Sequence, residues 1–119
     1  AAALANLEVL ESERLIEESQ RKGQIAKEQL QSLKARYPKH ISDVHGLGLL
    51  HVIHIRNDKT SLPDVELAHS CRWEAVKRGV MLIQTGLSTI KICPPLVISD
   101  DAMIEGIETI GEAIESVVE

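Results

Sequence analysis

The two ends of the chain show the apolar periodicity of α-helices. Residues 1–36 are mostly strong helix formers, with one short apolar stripe followed by a second, irregular one. This pattern predicts two helices or one bent helix, joined near residues 11–13, with Ser12 as the N-cap of the second helix. Residues 100–118 have the clearest helical period in the chain, and Ser99 precedes them as a capping hydroxyl. No capping residue precedes the first helix, so we expect the chain to be a fragment.

The middle of the chain carries short apolar runs of strand length. Three runs rich in β-branched and aliphatic residues predict strands, at residues 49–55, 80–86 and 89–93. A helix is predicted over residues 64–78, with Gly79 as its left-handed C-cap. The double proline Pro94-Pro95 must end the last strand because proline has no N–H to donate. The order of elements predicts an α+β fold in a single domain over residues 1–119, with a short, mostly antiparallel three-stranded sheet covered by helices.

Composition and charge exclude several kinds of partner. The 119 residues include only two aromatics, Tyr37 and Trp73, so platforms for stacking nucleic-acid bases are missing. The net charge is -5 and most basic residues are scattered, which argues against binding to a phosphate backbone. No apolar run approaches the roughly 20 residues that span a bilayer. We therefore expect a cytoplasmic protein with neither a nucleic-acid nor a membrane partner.

The sequence contains no self-sufficient catalytic or metal site. Five histidines are present, but His51 and His54 are three apart on a predicted strand and so point to opposite faces. The Gly46-x-Gly48 pair precedes a strand and lacks the helix N-terminus of a phosphate-binding loop. Cys71 and Cys93 belong to no C-x-x-C motif, and we expect two reduced, largely buried thiols. No catalytic, cofactor-binding or metal-binding residue is predicted.

Lys91 is the one residue for which the pattern leaves a functional interpretation open. In the predicted strand "TIKIC", Ile90 and Ile92 share one face while Lys91 projects from the other. An exposed lysine usually needs no explanation beyond solvation. Alternatively, this face lines a cleft shared with something outside the chain, where the cation could meet a carboxylate or a phosphate.

Three blocks of the sequence together resemble a known family. "AAALANLEVLE" resembles a helix that follows a Gly-Gly-x-Pro segment, and "ISDVHGLGLLHVIHI" is similar to a V-R-G-x-G-L-M-x-x-I-E-L strand. "RGVMLIQTGLSTIKICPPLVIS" is similar to an x-G-V-L-x…I-R-x-x-P-P-L-x-I hairpin. These segments occur in this order in the C-terminal part of the class III (ω-type) aminotransferases, pyridoxal-phosphate enzymes of fold type I. With the terminal helix, the resemblance covers essentially all 119 residues.

The resemblance implies that the chain is the small C-terminal domain of such an enzyme. In the family, this domain closes over the active site of a homodimer and helps to position a small amine or amino-acid substrate. The full-length enzyme would use pyridoxal phosphate to transfer the amino group to a 2-oxo acid. The family's cofactor-linking lysine, stacking aromatic and pyridine-nitrogen aspartate lie earlier, in the large domain. The resemblance therefore implies that this chain does not bind the cofactor and is inactive alone.

The resemblance also gives Lys91 a role. Lys91 stands at the arginine of I-R-x-x-P-P-L, which in many members binds the substrate carboxylate or pairs with a glutamate of the large domain. A lysine keeps the charge but lacks the planar bidentate guanidinium. Some relatives acting on phosphorylated amines, including phospho-lyases, are similar in carrying lysine there. We interpret Lys91 as substrate-binding and assign no role to His45, which replaces the arginine before Gly-x-Gly. The alternatives are a domain of a related pyridoxal-phosphate-dependent phospho-lyase and a free-standing α+β interaction module without cofactor.

Overall fold

The polypeptide forms four helices and four strands, and the computed structural model describes all 119 residues. The elements in chain order are α1 (Ala2–Ser12), α2 (Leu15–Arg36), β1 (Ile41–Leu47), β2 (Leu50–Ile55), α3 (Val65–Lys77), β3 (Ile83–Thr85), β4 (Thr89–Ile92) and α4 (Asp100–Val118). The strands form one sheet in the order β1-β2-β4-β3, and every neighbouring pair is antiparallel. None of the helices combines the length and the hydropathy that a membrane crossing requires.

The sheet has four strands rather than the three that the sequence predicted, although the α+β class is confirmed. The missed strand is β1, which contains serine, aspartate and glycine and has little intrinsic β-propensity. Its two core residues, Ile41 and Val44, are three apart, a spacing that would place them on opposite faces of a regular strand. A bulge at Ser42 shifts the register between Ile41 and Asp43, so both apolar side chains reach the core.

The core lies between one face of the sheet and the helices α2, α3 and α4. On the sheet side, the buried apolar side chains of β2 and β4 are Ile53, Ile55, Ile90 and Ile92. On the helix side, α4 buries the predicted apolar face, which includes Met103, Ile107, Ile110 and Ile114. Burying a side chain of this size contributes about 1.5–3 kcal/mol, so the contact between the sheet and the helices makes a large contribution to the stability of the fold.

Side-chain caps start both helices in the second half of the chain, and the cap at Ser99 was predicted. The Asp64 side chain accepts a hydrogen bond from the Leu67 backbone N–H at 3.0 Å, and Ser99 accepts one from Ala102 at 3.2 Å. Gly79 follows α3 with a φ of +93°, the left-handed geometry expected after the helix. Only residues 83–85 of the predicted strand at 80–86 pair with β4, and Leu82, just before them, is buried in the core.

The junction between α1 and α2 differs from the prediction. Ser12 is the last residue of α1, and its hydroxyl donates to the Val9 carbonyl rather than capping α2. Arg14 precedes α2 in a left-handed conformation, with a φ of 51°. Helix α1 buries none of its residues, and Leu4 and Leu7 are mostly exposed. The predicted apolar stripe at the start of the chain is therefore left largely exposed.

Helix α2 crosses directly over the turn between β1 and β2. A Cβ atom on Gly23 would collide with the main chain of Gly48, so the helix backbone approaches the turn as closely as glycine permits. Gly48 itself has a φ of +56°, and a Cβ there would lie 2.6 Å from the Ser19 hydroxyl. These two glycines let the helix and the turn make contact through their backbones.

This contact makes the effect of Gly23→Ala opposite to the effect expected from helix propensity. Alanine in a helix interior is favoured over glycine by about 1 kcal/mol. Here the added methyl group must displace the Gly48 backbone, and overpacking of this kind costs about 1–3 kcal/mol. We expect Gly23→Ala to lower the midpoint of urea unfolding, with Gly106→Ala as the matched control because nothing lies within 4 Å of that site on α4. A stabilised Gly23→Ala variant would show that the helix does not touch the turn.

His51 is buried on the core face of β2 and stabilises the same turn. Its Nε2 lies 2.8 Å from the Gly48 carbonyl oxygen, which only accepts hydrogen bonds, so the proton is on Nε2. Its Nδ1 is buried and has no partner. Burial disfavours the imidazolium and lowers the pKa of His51 below 6.5, outweighing the bond to Gly48.

His51 therefore makes stability depend on pH. Below pH 6.5 the unfolded chain takes up a proton at this residue that the folded chain does not, so the free energy of unfolding falls as the pH drops through this window. The slope from one such group is at most about 1.4 kcal/mol per pH unit. Urea unfolding between pH 5 and 7.5 should show this slope, and His51→Gln should reduce it, with His69→Gln, a substitution at an exposed histidine, as the control. An unchanged slope in His51→Gln would contradict this account.

Candidate functional site

The face of the sheet that carries no helix is the candidate functional surface. We define the outer face as the sheet residues that point away from the core: Asp43, His45, Leu47, Leu50, Val52, His54, Ile83, Thr85, Thr89 and Lys91. The alternation of buried and partly exposed residues along β2 and β4 separates this face from the core face. All three core helices pack on the other side, so within this chain nothing covers the outer face.

Lys91 lies near the centre of the outer face. In the register of the sheet it is flanked by Val52 on β2 and Ile83 on β3. The side chain is half-buried, and Lys91 takes part in none of the ion pairs or side-chain hydrogen bonds of the chain. Lys91 therefore projects from the face opposite Ile90 and Ile92, as the alternation predicts, and its charge has no partner here.

Large apolar side chains share the outer face with Lys91. Leu47 is 89% exposed, Ile83 is 54% exposed and Leu50 is 49% exposed. An apolar patch on a sheet face with a cation in it is more typical of a contact surface than of a solvated one. The outer face is therefore suited to meet another protein surface with an anion opposite Lys91.

A chain of polar contacts runs across the outer face beside Lys91. Lys34 of α2 donates to Asp43 Oδ1 at 3.0 Å, and His45 Nε2 lies 3.0 Å from Asp43 Oδ2. The His45 and His54 rings meet edge to face with centroids 5.4 Å apart. His54 Nδ1 lies 2.9 Å from the Thr89 hydroxyl. The hydrogen bond from Lys34 is the main cause of the lowered pKa of Asp43.

Sequence reasoning missed this polar chain because it missed β1. Asp43 and His45 reach the outer face only through the bulge at Ser42 and the pairing of β1 with β2. The spacing of Asp43 and His45, two residues apart and ahead of a glycine turn, was the available signal. The prediction that His54 lies on the face opposite His51 is confirmed. The structure contains no group of three histidine, cysteine or carboxylate side chains that could hold a metal ion.

The residues around Lys91 do not fit pyridoxal phosphate as a complete site. The cofactor needs a lysine to link to and an aromatic side chain to stack on. Trp73 lies on α3, with the Arg72 guanidinium 5.5 Å from its ring, and Tyr37 ends α2 beside Arg36. Both aromatics belong to helical elements, whereas Lys91 lies on β4 between Val52 and Ile83. The outer face therefore supplies an isolated cation, and no chemical step through the cofactor is derived from it.

Comparison with known proteins identifies the family. The family profile described as "Aminotransferase class-III" matches residues 1–114. The chain belongs to the class III aminotransferases. Ornithine aminotransferase, mitochondrial, from Arabidopsis thaliana is 33% identical over 97% of the chain, and these residues make up 24% of that relative. The (R)-1-hydroxy-2-aminoethylphosphonate ammonia-lyase of Vibrio splendidus is 31% identical over 98% of the chain and 24% of its own length.

Solved aminotransferase structures share this fold. An aminotransferase from Bacillus anthracis superposes with a TM-score of 0.89 and 31% identity, over 97% of this chain and 27% of that one. The α+β arrangement is therefore shared with a solved aminotransferase. The chain spans about a quarter of the length of the relatives it matches.

The two cysteines of this class III aminotransferase chain should differ in reactivity. Both thiols are free, but Cys71 is buried and Cys93, predicted to be largely buried, is exposed just after β4. Burial raises the pKa of the Cys71 thiol to about 12, so its reactive thiolate is scarce at pH 8. An aromatic disulfide reagent should therefore react rapidly with one thiol per chain, and Cys93→Ser should abolish this fast phase while Cys71→Ser retains it. Rapid reaction of both thiols in the native chain would refute the assignment.

Proposed function

We propose that this chain is the C-terminal domain of a pyridoxal-phosphate-dependent aminotransferase and that it positions the substrate. The whole enzyme would move an amino group from a small amine or amino acid to a 2-oxo acid. Family membership and the quarter-length match to the relatives support a longer enzyme in which another domain holds the cofactor. The cytoplasmic location remains a prediction.

The unpaired charge of Lys91 is the observation that carries the proposal. Lys91 lies in an apolar setting on the uncovered face of the sheet, at the position where the family resemblance places an arginine. An ammonium between Val52 and Ile83 is less screened than one in open water, so it attracts an anion more strongly. We infer that the outer face closes over the active site and that Lys91 meets the acidic group of the substrate there.

The chain's own residues would bind and orient, while the chemistry comes from the cofactor. When bound elsewhere in the full-length enzyme, pyridoxal phosphate supplies the electron sink for carbanion chemistry. Lys91 would hold one oxygen of a carboxylate by a single charge-assisted hydrogen bond, where an arginine would hold two. The apolar side chains around Lys91 would exclude water from this contact. On its own, the 119-residue chain would bind no cofactor and show no turnover.

The proposed partners follow from the uncovered surfaces. The outer face carries Leu47, Leu50 and Ile83, and α1 carries Leu4 and Leu7, all exposed. We propose that the large domain of the same enzyme and the second subunit of a homodimer cover these two surfaces. A free-standing interaction module without cofactor would also expose apolar side chains, but it would not explain a family match that continues over residues 1–114.

An elimination reaction is the second candidate. The similarity to an ammonia-lyase from Vibrio splendidus supports it, because that relative matches along as much of the chain as the ornithine aminotransferase does. The two reactions differ in their need for an amino acceptor. A transaminase turns over only when a 2-oxo acid is supplied, whereas a lyase releases ammonia or phosphate without one.

Replacement of Lys91 tests the proposed function in the full-length enzyme. Lys91→Met should raise KM for an acidic substrate about tenfold, since a hydrogen bond to a charged group is worth about 1.5–3 kcal/mol. Lys91→Arg, which keeps the charge, should retain most of the affinity. Lys27→Met on α2 is the matched control, because Lys27 is exposed and lies outside the sheet. If Lys91→Met leaves kcat/KM unchanged, Lys91 is only a surface lysine.

A further inference from the structure

A polar cavity of about 300 Å³ opens at the end of the sheet, beside the outer face. It lies where β2 ends, between the loop after β2 and the turn that leads into β4. Its polar lining consists of Ser42, His54, Arg56, Ser61, Ser88 and Thr89. No aspartate or glutamate lines it. The cavity is therefore electrostatically suited to an anion rather than to a cation.

Arg56 supplies the positive charge of this cavity. Its Nε donates to the Lys39 carbonyl at 3.2 Å and its Nη2 donates to the Pro38 carbonyl, so two main-chain oxygens orient the guanidinium. Arg56 forms none of the ion pairs of the chain, and Nη1 has no hydrogen-bond partner. A positioned guanidinium with an unused donor and no counter-charge is ready to bind an oxyanion.

His54 and Ser61 add two further unused donors. His54 Nδ1 lies 2.9 Å from the Thr89 hydroxyl oxygen, and in the tautomer whose Nδ1 accepts the hydroxyl hydrogen, Nε2 carries a hydrogen that has no partner in the chain. The Ser61 hydroxyl also makes no side-chain hydrogen bond, whereas Ser42 and Ser88 donate to the carbonyls of His54 and Ile55. The available donors therefore lie at the end of β2 and in the loop that follows it, and three donors lining one cavity suit an oxyanion with several oxygens better than a single polar atom.

The carboxylate of Asp43 does not compete for these donors. Asp43 lies opposite His54 in the register of β1 and β2, but it does not line the cavity. Its two oxygens are already engaged by Lys34 and His45, each at 3.0 Å. The negative charge of Asp43 is thus compensated outside the cavity.

We propose that this cavity is an oxyanion-binding site in which Arg56 Nη1, His54 Nε2 and the Ser61 hydroxyl hold a phosphate or carboxylate group. The site is separate from Lys91 but close to it, because Thr89 and Lys91 lie two residues apart on the same face of β4, about 7 Å along the strand. Two sources of the anion share this chemistry. It is either the far end of a substrate whose near end meets Lys91, which rests on the proposed function, or a free inorganic anion.

Binding of inorganic phosphate to the full-length enzyme tests the proposal. Histidine labelled with ¹³C in the ring gives one resonance for His54, assigned by its loss in His54→Gln. Titration with phosphate at constant ionic strength should shift this resonance to saturation, whereas chloride should not. Arg56→Gln should weaken phosphate binding about tenfold or more, the loss of one charge-assisted hydrogen bond. Arg78→Gln is the matched control, because Arg78 lies after α3 and pairs with Glu74.

A second variant protects the test against a folding defect, since Arg56 also anchors two carbonyls. Ser61 is exposed and has a φ of 60°, so Ser61→Gly removes the hydroxyl without straining the backbone, and it should weaken phosphate binding several-fold. A chemical shift that does not saturate, or equal dissociation constants for the parent enzyme, Arg56→Gln and Ser61→Gly, would overturn the proposal.

Kinetic competition separates the two sources of the anion. If the cavity receives the far end of the substrate, phosphate inhibits competitively and Arg56→Gln relieves the inhibition. If it receives a free anion, saturating substrate leaves the phosphate affinity unchanged. Both outcomes support the site. An unaltered KM in Lys91→Met together with saturable phosphate binding would remove the proposed role of Lys91 and leave the oxyanion site standing.

Discussion

The sheet is covered by helices on one face only, and the rest of the structure depends on this constraint. Ile53, Ile55, Ile90 and Ile92 are buried against three helices, and side chains alternate strictly between the two faces of a strand. Once these four residues face the core, Lys91, Thr89 and His54 must face away from it. A one-residue change of register would bury the lysine and expose the isoleucines. The hydrophobic core therefore places the charged group that the proposed function needs.

The contact between α2 and the β1–β2 turn fixes where the first strand pair lies. Gly23 and Gly48 bring two backbones together, and His51 holds the turn by its bond to the Gly48 carbonyl. Helix α2 also reaches the edge of the sheet through Lys34, which binds Asp43. The same helix thus contributes to the core and compensates a charge on the outer face. The two glycines, which look unfavourable by propensity alone, are what permit this arrangement.

Membership in the class III aminotransferases supports an interpretation of the outer face, as a contact surface of a longer enzyme, that its geometry alone does not provide. A lysine in a half-apolar setting is consistent with a contact surface, and the chain spans only about a quarter of its relatives. The proposed substrate role of Lys91 and the proposed oxyanion site at Arg56 use different residues and different parts of the sheet. They are linked by β4, which carries Lys91 and Thr89 on one face. A substrate with two acidic groups would suit both the proposed site at Lys91 and the proposed oxyanion site at Arg56.

The sequence by itself determined the class of the fold, the ends of α3 and α4, and the direction of Lys91. These features depend on local chemistry: Asp64 and Ser99 cap the helix that follows them, and the alternation of isoleucines sets the faces of β4. Only the tertiary structure decided that residues 41–47 form a strand. Because of the bulge at Ser42, the two buried residues Ile41 and Val44 are three apart instead of at the even spacing typical of a strand. It also decided that Asp43, His45 and His54 meet, and that Arg56 shares a cavity with His54 and Ser61. The physical reason is that strand pairing joins residues distant in sequence, while the fold of the loop after β2 brings Ser61 into the same cavity as Arg56, and no local pattern encodes either arrangement.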